Sequence, residues 1–144
     1  MFDKDPLSAP EAITAAQRLA FAPLAFQAAS ALRNRGVLAA LTEAEPDGLT
    51  IDEAAAATGL TIYGVRVLLE AGLGLYVVWR RDDRFHLGRL GHFLLEDEMT
   101  RVNFEFTRDV CYQAAAHLDE ALGEGRPAGL KALGPWATVY EGLS

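Results

Sequence analysis

The stretch GLTIDEAAAATGLTIYGVRVLLEAGLGLYVVWRRDDRFHLG, residues 48–88, decides the fold. Thr50 stands three residues before Glu53, the spacing of a capping box, in which each side chain satisfies a backbone amide of the other. "IDEAAAAT" follows with the best helix formers and stops at Gly59. Thr61 is the next N-cap, and "IYGVRVLLEA" places Ile62, Val65, Leu68 and Leu69 on one side of a second helix. Two short helices joined by a turn containing Gly make a helix-turn-helix. "LYVVWRR" is then rich in β-branched and aromatic residues, "DD" is a turn, and "RFHLG" is short and alternating. That reads as a two-stranded hairpin. Helix, turn, helix, hairpin is a winged helix.

Gly72 and Gly74 within this stretch imitate the start of a nucleotide- or adenosylmethionine-binding loop. Such a loop needs a strand before the glycines and a helix after them, so that amides at the helix start face the ligand. Here the order is reversed, and the position of the third glycine is Tyr76. Gly72 is expected instead to cap a helix in the left-handed conformation, with Gly74 helping the chain turn into the wing. No cofactor-binding residue is assigned to this chain.

Upstream, residues 1–11 read as a flexible N-terminus, and residues 12–41 are crowded with alanine, with Leu24, Phe26, Leu32, Val37, Leu38 and Leu41 supplying bulk. Pro10 suits a first helical turn. Pro23 removes an amide donor and is expected to separate two helices, the second ending at Gly36. "GVLAAL" adds one or two helical turns, and "EAEPDG" is a polar loop. Downstream, "RLGHFLL" reads as a short helix or turn. Val102, Phe106, Val110, Ala114, Leu118 and Leu122 recur every four residues and predict one long helix from Glu98 to Leu122. "GEGRPAGLKALG" breaks it, and a short helical piece, "WATVYEGL", follows. The expected organisation is a helical winged-helix domain over 12–97, then a long helix and connector over 98–144. The fold class is mainly α, a winged helix-turn-helix with a small hairpin wing and flanking helices.

The 144 residues are half apolar and carry a formal charge of −7, which fits a globular domain and lowers the expectation of nucleic-acid binding. No run approaches the roughly 20 apolar residues of a membrane span. The start is polar and lacks the pattern of a secretory signal. Cys111 is the sole thiol, so a reducing, cytoplasmic setting is expected. His86, His92 and His117 are not spaced as a helical metal pair, and no metal or catalytic residue is assigned. Cys111 reads as a small core residue. DNA binding is the alternative that a winged helix raises. Residues 49–88 hold Arg66, Arg80, Arg81 and Arg84 against Asp52, Glu53, Glu70, Asp82 and Asp83, a net −1. The second helix lacks the Lys, Asn and Gln of a groove-reading element.

An alanine-rich helical start, "GLTIDEAAAATGL", "VRVLLEAGLGLYVVWRRDDRFHLGRLGHFLL" and "HLDEALGEGRPAGLKALGPWATVYEGL" together resemble the N-terminal winged-helix dimerisation domain of adenosylmethionine-dependent small-molecule O-methyltransferases. The resemblance implies a homodimer built through helices flanking the winged motif. In a full-length parent it also implies a Rossmann-like lobe that binds S-adenosylmethionine, which would begin about where this sequence stops. On that reading the chain is an assembly and substrate-lid module. Leu24, Phe26, Leu32, Val37 and Leu38 are expected as dimer interface or core. The resemblance also makes Phe104, Arg108, Cys111 and Tyr112 candidates to line a substrate pocket, with core packing, or a solvated face for Arg108, as the alternative. Two other readings stand beside it: a winged-helix transcriptional regulator, and a free-standing module that binds an apolar ligand between the long helix and the N-terminal helices.

Overall fold

The structure, a computed structural model, describes residues 5–142 and divides into two units, Met1–His92 and Phe93–Ser144. The first unit opens with α1 (Ala9–Asn34). The Ser8 backbone N–H and hydroxyl both donate to the Glu11 carboxylate, at 2.8 and 2.6 Å, and these bonds hold that carboxyl below its ordinary range. The helix thus begins inside the segment 1–11 expected to be flexible; residues 1–4 of that segment lie outside the described residues. The expected break at Pro23 is corrected too, because Pro23 lies inside one continuous helix. Its flanks, Ala20, Ala22 and Ala25, have the highest helix propensity. The missing amide therefore removes one bond without ending the helix.

Helix α2 (Val37–Glu43) follows a left-handed Gly36. Helices α3 (Ile51–Thr58) and α4 (Ile62–Gly74) are the helix-turn-helix, bent at 112°. Both expected caps are present. The Thr50 hydroxyl accepts from the Glu53 N–H at 3.3 Å while the Glu53 carboxylate accepts from the Thr50 N–H at 2.8 Å. The Thr61 hydroxyl accepts from the Gly64 N–H at 3.0 Å. The wing is β1 (Val78–Arg81) antiparallel to β2 (Arg84–Leu87), with Val78 opposite Leu87 and Arg81 opposite Arg84. Asp82 turns the chain at φ 55°. Leu49 and Phe85 exchange both backbone bonds, at 2.9 and 2.7 Å, and tie the wing to the segment before α3.

Leu32, Val37, Leu38, Leu41, Val65, Leu69 and Val77 are fully buried and form the core of this unit. Gly72 serves that core in an unexpected way. It lies inside α4, and a Cβ there would sit 2.9 Å from Val78 Cγ2 and 3.2 Å from Leu32 Cδ1. It is therefore a close-packing residue, and the expected left-handed cap at Gly72 is corrected. The positive φ, 57°, falls on Tyr76.

Helix α5 (Arg89–Glu96) confirms the helical option for "RLGHFLL". In the second unit α6 (Glu98–Phe106) is capped by Asp97, whose carboxylate accepts from the Thr100 N–H at 2.8 Å. The single long helix expected over 98–122 is corrected. A π turn occupies Thr107–Cys111, α7 spans Tyr112–Ala115, and α8 (Leu118–Glu124) begins after a break. A four-residue repeat drifts about 40° per repeat on a 3.6-residue helix. A wider π turn recovers part of that drift, and the Thr107 hydroxyl supports the distortion by donating to the Asn103 carbonyl at 2.8 Å. The 3-10 turn at Ala128–Ala132 packs closely on α7: a Cβ at Gly129 would meet the Ala114 carbonyl oxygen at 2.5 Å.

Candidate functional site

The first two-thirds of α1 carry large apolar side chains that the first unit does not cover. Ile13 is 65% exposed, Leu19 76%, Phe21 59% and Leu24 67%. The last third is different. From Ala29 onward α1 buries Ala29, Ser30 and Leu32 and packs on α2 and α4. Sequence character separates the two parts poorly, because both mix alanine with leucine; position along the helix separates them. Isolated helices of about 12–15 residues are marginal in water. An exposed arm of this length therefore gains from a second surface.

That arm borders a groove of about 930 Å³. One stripe of α1, Ile13, Gln17 and Phe21 with Thr14, Arg18, Ala22 and Ala25, forms one wall. Phe26 closes the stripe, and Gly74, Leu75 and Tyr76 at the end of α4 form the other wall. The lining is mainly apolar, with Arg18 as its one cation. The groove offers shape and apolar area, and no acid–base pair stands in it.

The expected interface residues therefore separate. Leu24 is exposed, and Phe26 is half-buried and lines the groove. Leu32, Val37 and Leu38 have no exposed surface at all; they are core of the first unit and out of reach of a partner. Ile13, Leu19 and Phe21 were missed. Their signal was the bulk they add to an alanine background, but without periodicity it gave no face.

The four residues expected to line a substrate pocket sit on α6, the π turn and the start of α7. Phe104, Arg108, Cys111 and Tyr112 are each half-buried. Neither the α1 groove nor a smaller pocket of about 170 Å³ beside Trp136 is lined by any of them. The Arg108 guanidinium donates to its neighbour Asp109 at 2.5 and 2.6 Å, which holds the Asp109 carboxyl below its ordinary range. Among the described residues no group of three His, Cys, Asp or Glu is placed to hold a metal ion. The outward side of α4, where a DNA reader would carry polar groups, exposes Ile62, Tyr63 and Val67 beside one cation, Arg66, and one acid, Glu70.

The sequence matches the Dimerisation2-like domain family over residues 14–85, which is half of the chain. No curated protein matches it in sequence. Among solved structures it is similar to the S-adenosylmethionine-dependent methyltransferase SibL in its apo form, with a TM-score of 0.74 and 24% identity over 86% of this chain and 37% of that one. It is also similar to human N-acetylserotonin methyltransferase in complex with SAM, with a TM-score of 0.65 and 22% identity over 88% of this chain and 37% of that one. A third similar structure is PigF with SAH, with a TM-score of 0.59 and 20% identity over 83% of this chain and 34% of that one. The chain thus spans little more than a third of the length of these structures, and at such identities the likeness establishes the fold.

Proposed function

The chain belongs to the Dimerisation2-like domain family, and from that premise we propose that it is the homodimerising N-terminal domain of an S-adenosylmethionine-dependent methyltransferase that acts on a small molecule. The observation that carries this reading is the uncovered apolar surface of the first part of α1, where Ile13, Leu19, Phe21 and Leu24 are all exposed on a capped helix. Burying the exposed part of these four side chains is worth about 4–8 kcal/mol of gross transfer free energy per chain. In a two-fold dimer each contact occurs twice. That gross gain is large enough to offset part of the several kcal/mol lost on association.

The methyl-transfer machinery belongs, on this reading, to the part of such an enzyme that these residues do not span. S-adenosylmethionine would bind there, and the α6–α7 segment with Phe104, Arg108, Cys111 and Tyr112 would contribute to the roof of a substrate site. The similarity to two methyltransferase structures and to PigF with SAH supports the reading. The place of work is proposed as the cytoplasm, in keeping with the single thiol. Among the described residues no single helix is long and apolar enough to cross a membrane.

Light scattering across a hundredfold range of concentration tests the proposal. It predicts the mass of two chains, falling toward one only on dilution. A single-chain mass throughout overturns it.

A further inference from the structure

The turn from α4 into the wing carries a tyrosine where the backbone favours glycine. Tyr76 stands two residues past the end of α4 at φ 57°. Its N–H donates to the Leu73 carbonyl at 3.1 Å, and the Val77 N–H donates to the Gly72 carbonyl at 2.9 Å. These two bonds close the helix as a Schellman motif, which holds one residue in the left-handed region. A residue with a Cβ is strained there, a bulky one most of all. Among the described residues the other positive φ angles fall on Gly36, Gly48, Gly59 and Gly125, and on Asp82, of a type that tolerates the conformation. The Tyr76 side chain contributes little to the fold of the single chain in return, because the residue is 79% exposed.

Tyr76 lines the groove whose other wall includes Ile13, Phe21 and Phe26 of α1. Leu19 and Leu24 are exposed on the same helix but do not line that groove. Each chain therefore carries a groove and, outside it, apolar side chains that its own first unit leaves uncovered. A two-fold interface needs that kind of self-complementarity, because the same patch serves on both copies. Both walls also fall almost wholly within residues 14–85, the span that matches the dimerisation family. We propose that Tyr76 is an anchor of the dimer interface: its ring packs on the second copy's α1 where that helix lies in the groove, and the left-handed strain is retained because it holds the ring there. The inference rests on the dimerisation reading and adds to it a contact outside α1. The exposed part of a tyrosine at this position offers about 120–200 Å², roughly a seventh to a quarter of the about 800 Å² that each partner gives to a stable interface. With two side-chain torsions to immobilise, tyrosine also loses little entropy on docking.

Sedimentation equilibrium of the full chain, with thermal unfolding of the dilute single chain beside it, tests the anchor. Tyr76→Asn keeps a residue that accepts the left-handed turn and removes the ring. It is expected to raise the dissociation constant about tenfold or more, while the single chain melts no lower than the native one. Tyr76→Phe keeps the ring, and its dissociation constant is expected within about threefold of native. Tyr63→Gln alters a residue 77% exposed on α4 but outside the groove, and is expected to leave dimerisation unchanged. A native dissociation constant in Tyr76→Asn overturns the anchor while the dimer itself stands. So does a lowered melting temperature in that variant, which makes the side chain part of the fold, or an equal weakening in Tyr63→Gln. A native chain that stays single at every concentration overturns the dimerisation reading, and the anchor with it.

Discussion

Leu24→Ser separates assembly from folding. Leu24 keeps two-thirds of its surface exposed in the single chain. Fully burying a leucine is worth about 1.5–3 kcal/mol, so a partner that covers the rest gains about 1–2 kcal/mol per chain. A two-fold dimer counts this twice, about 2–4 kcal/mol, which raises the dissociation constant about thirtyfold to seven-hundredfold. The fold of the single chain is expected to change by no more than about 0.5 kcal/mol, because the site is exposed. Leu38→Ala is the contrasting variant. Leu38 has no exposed surface, and its truncation costs about 2–5 kcal/mol of folding free energy. Sedimentation equilibrium gives the dissociation constant. Urea unfolding followed by circular dichroism, below the concentration of dimer formation, gives the stability. An unchanged dissociation constant in a folded Leu24→Ser chain would refute the reasoning, and so would a loss of stability as large as that of Leu38→Ala.

Gly72→Ala brings a Cβ against Val78 and Leu32; overpacking costs about 1–3 kcal/mol and helix propensity returns about 1. A lowered melting temperature is expected, and a raised one would contradict the close packing assigned to Gly72. The Glu53 carboxyl lies below its ordinary 4.5, chiefly through the Thr50 N–H and also through Arg84. Its contribution to stability is therefore present above pH 4.5 and lost as pH falls through the lower folded value. Thermal unfolding between pH 3 and pH 7 should show a smaller acid loss in Glu53→Gln than in the native chain. Titration calorimetry with S-adenosylmethionine is expected to give no heat from these residues alone. Duplex DNA is expected not to bind at low salt; binding that weakens steeply with added salt would favour the regulator instead.

Local chemistry made the winged motif legible. Thr50, Glu53 and Thr61 cap helices through side chains that act within three residues, and Asp82 and Asp83 make the hairpin turn. Elsewhere a single local rule is outweighed, by neighbouring residues or by a distant contact. The missing amide of Pro23 predicts a break, but the alanines on both sides keep the helix. The freedom of Gly72 predicts a cap, but Val78 and Leu32 leave no space for a side chain. The four-residue stripe after Glu98 predicts one helix, but that period does not match an α-helix, and a π turn stands at Thr107–Cys111. The candidate site was only half legible. Leu24 and Leu32 are chemically identical, and one is exposed while the other is buried because Leu32 lies against Gly72 of α4.

The central claim is that the exposed apolar arm of α1 is covered by a second copy of this chain. An isotope-filtered NOE measurement on an equimolar mixture of methyl-labelled and unlabelled chain addresses it directly. The account predicts contacts between chains at the methyl groups of Ile13, Leu19 and Leu24. Their absence, or contacts between chains confined to methyls outside α1 such as Val102, would contradict it.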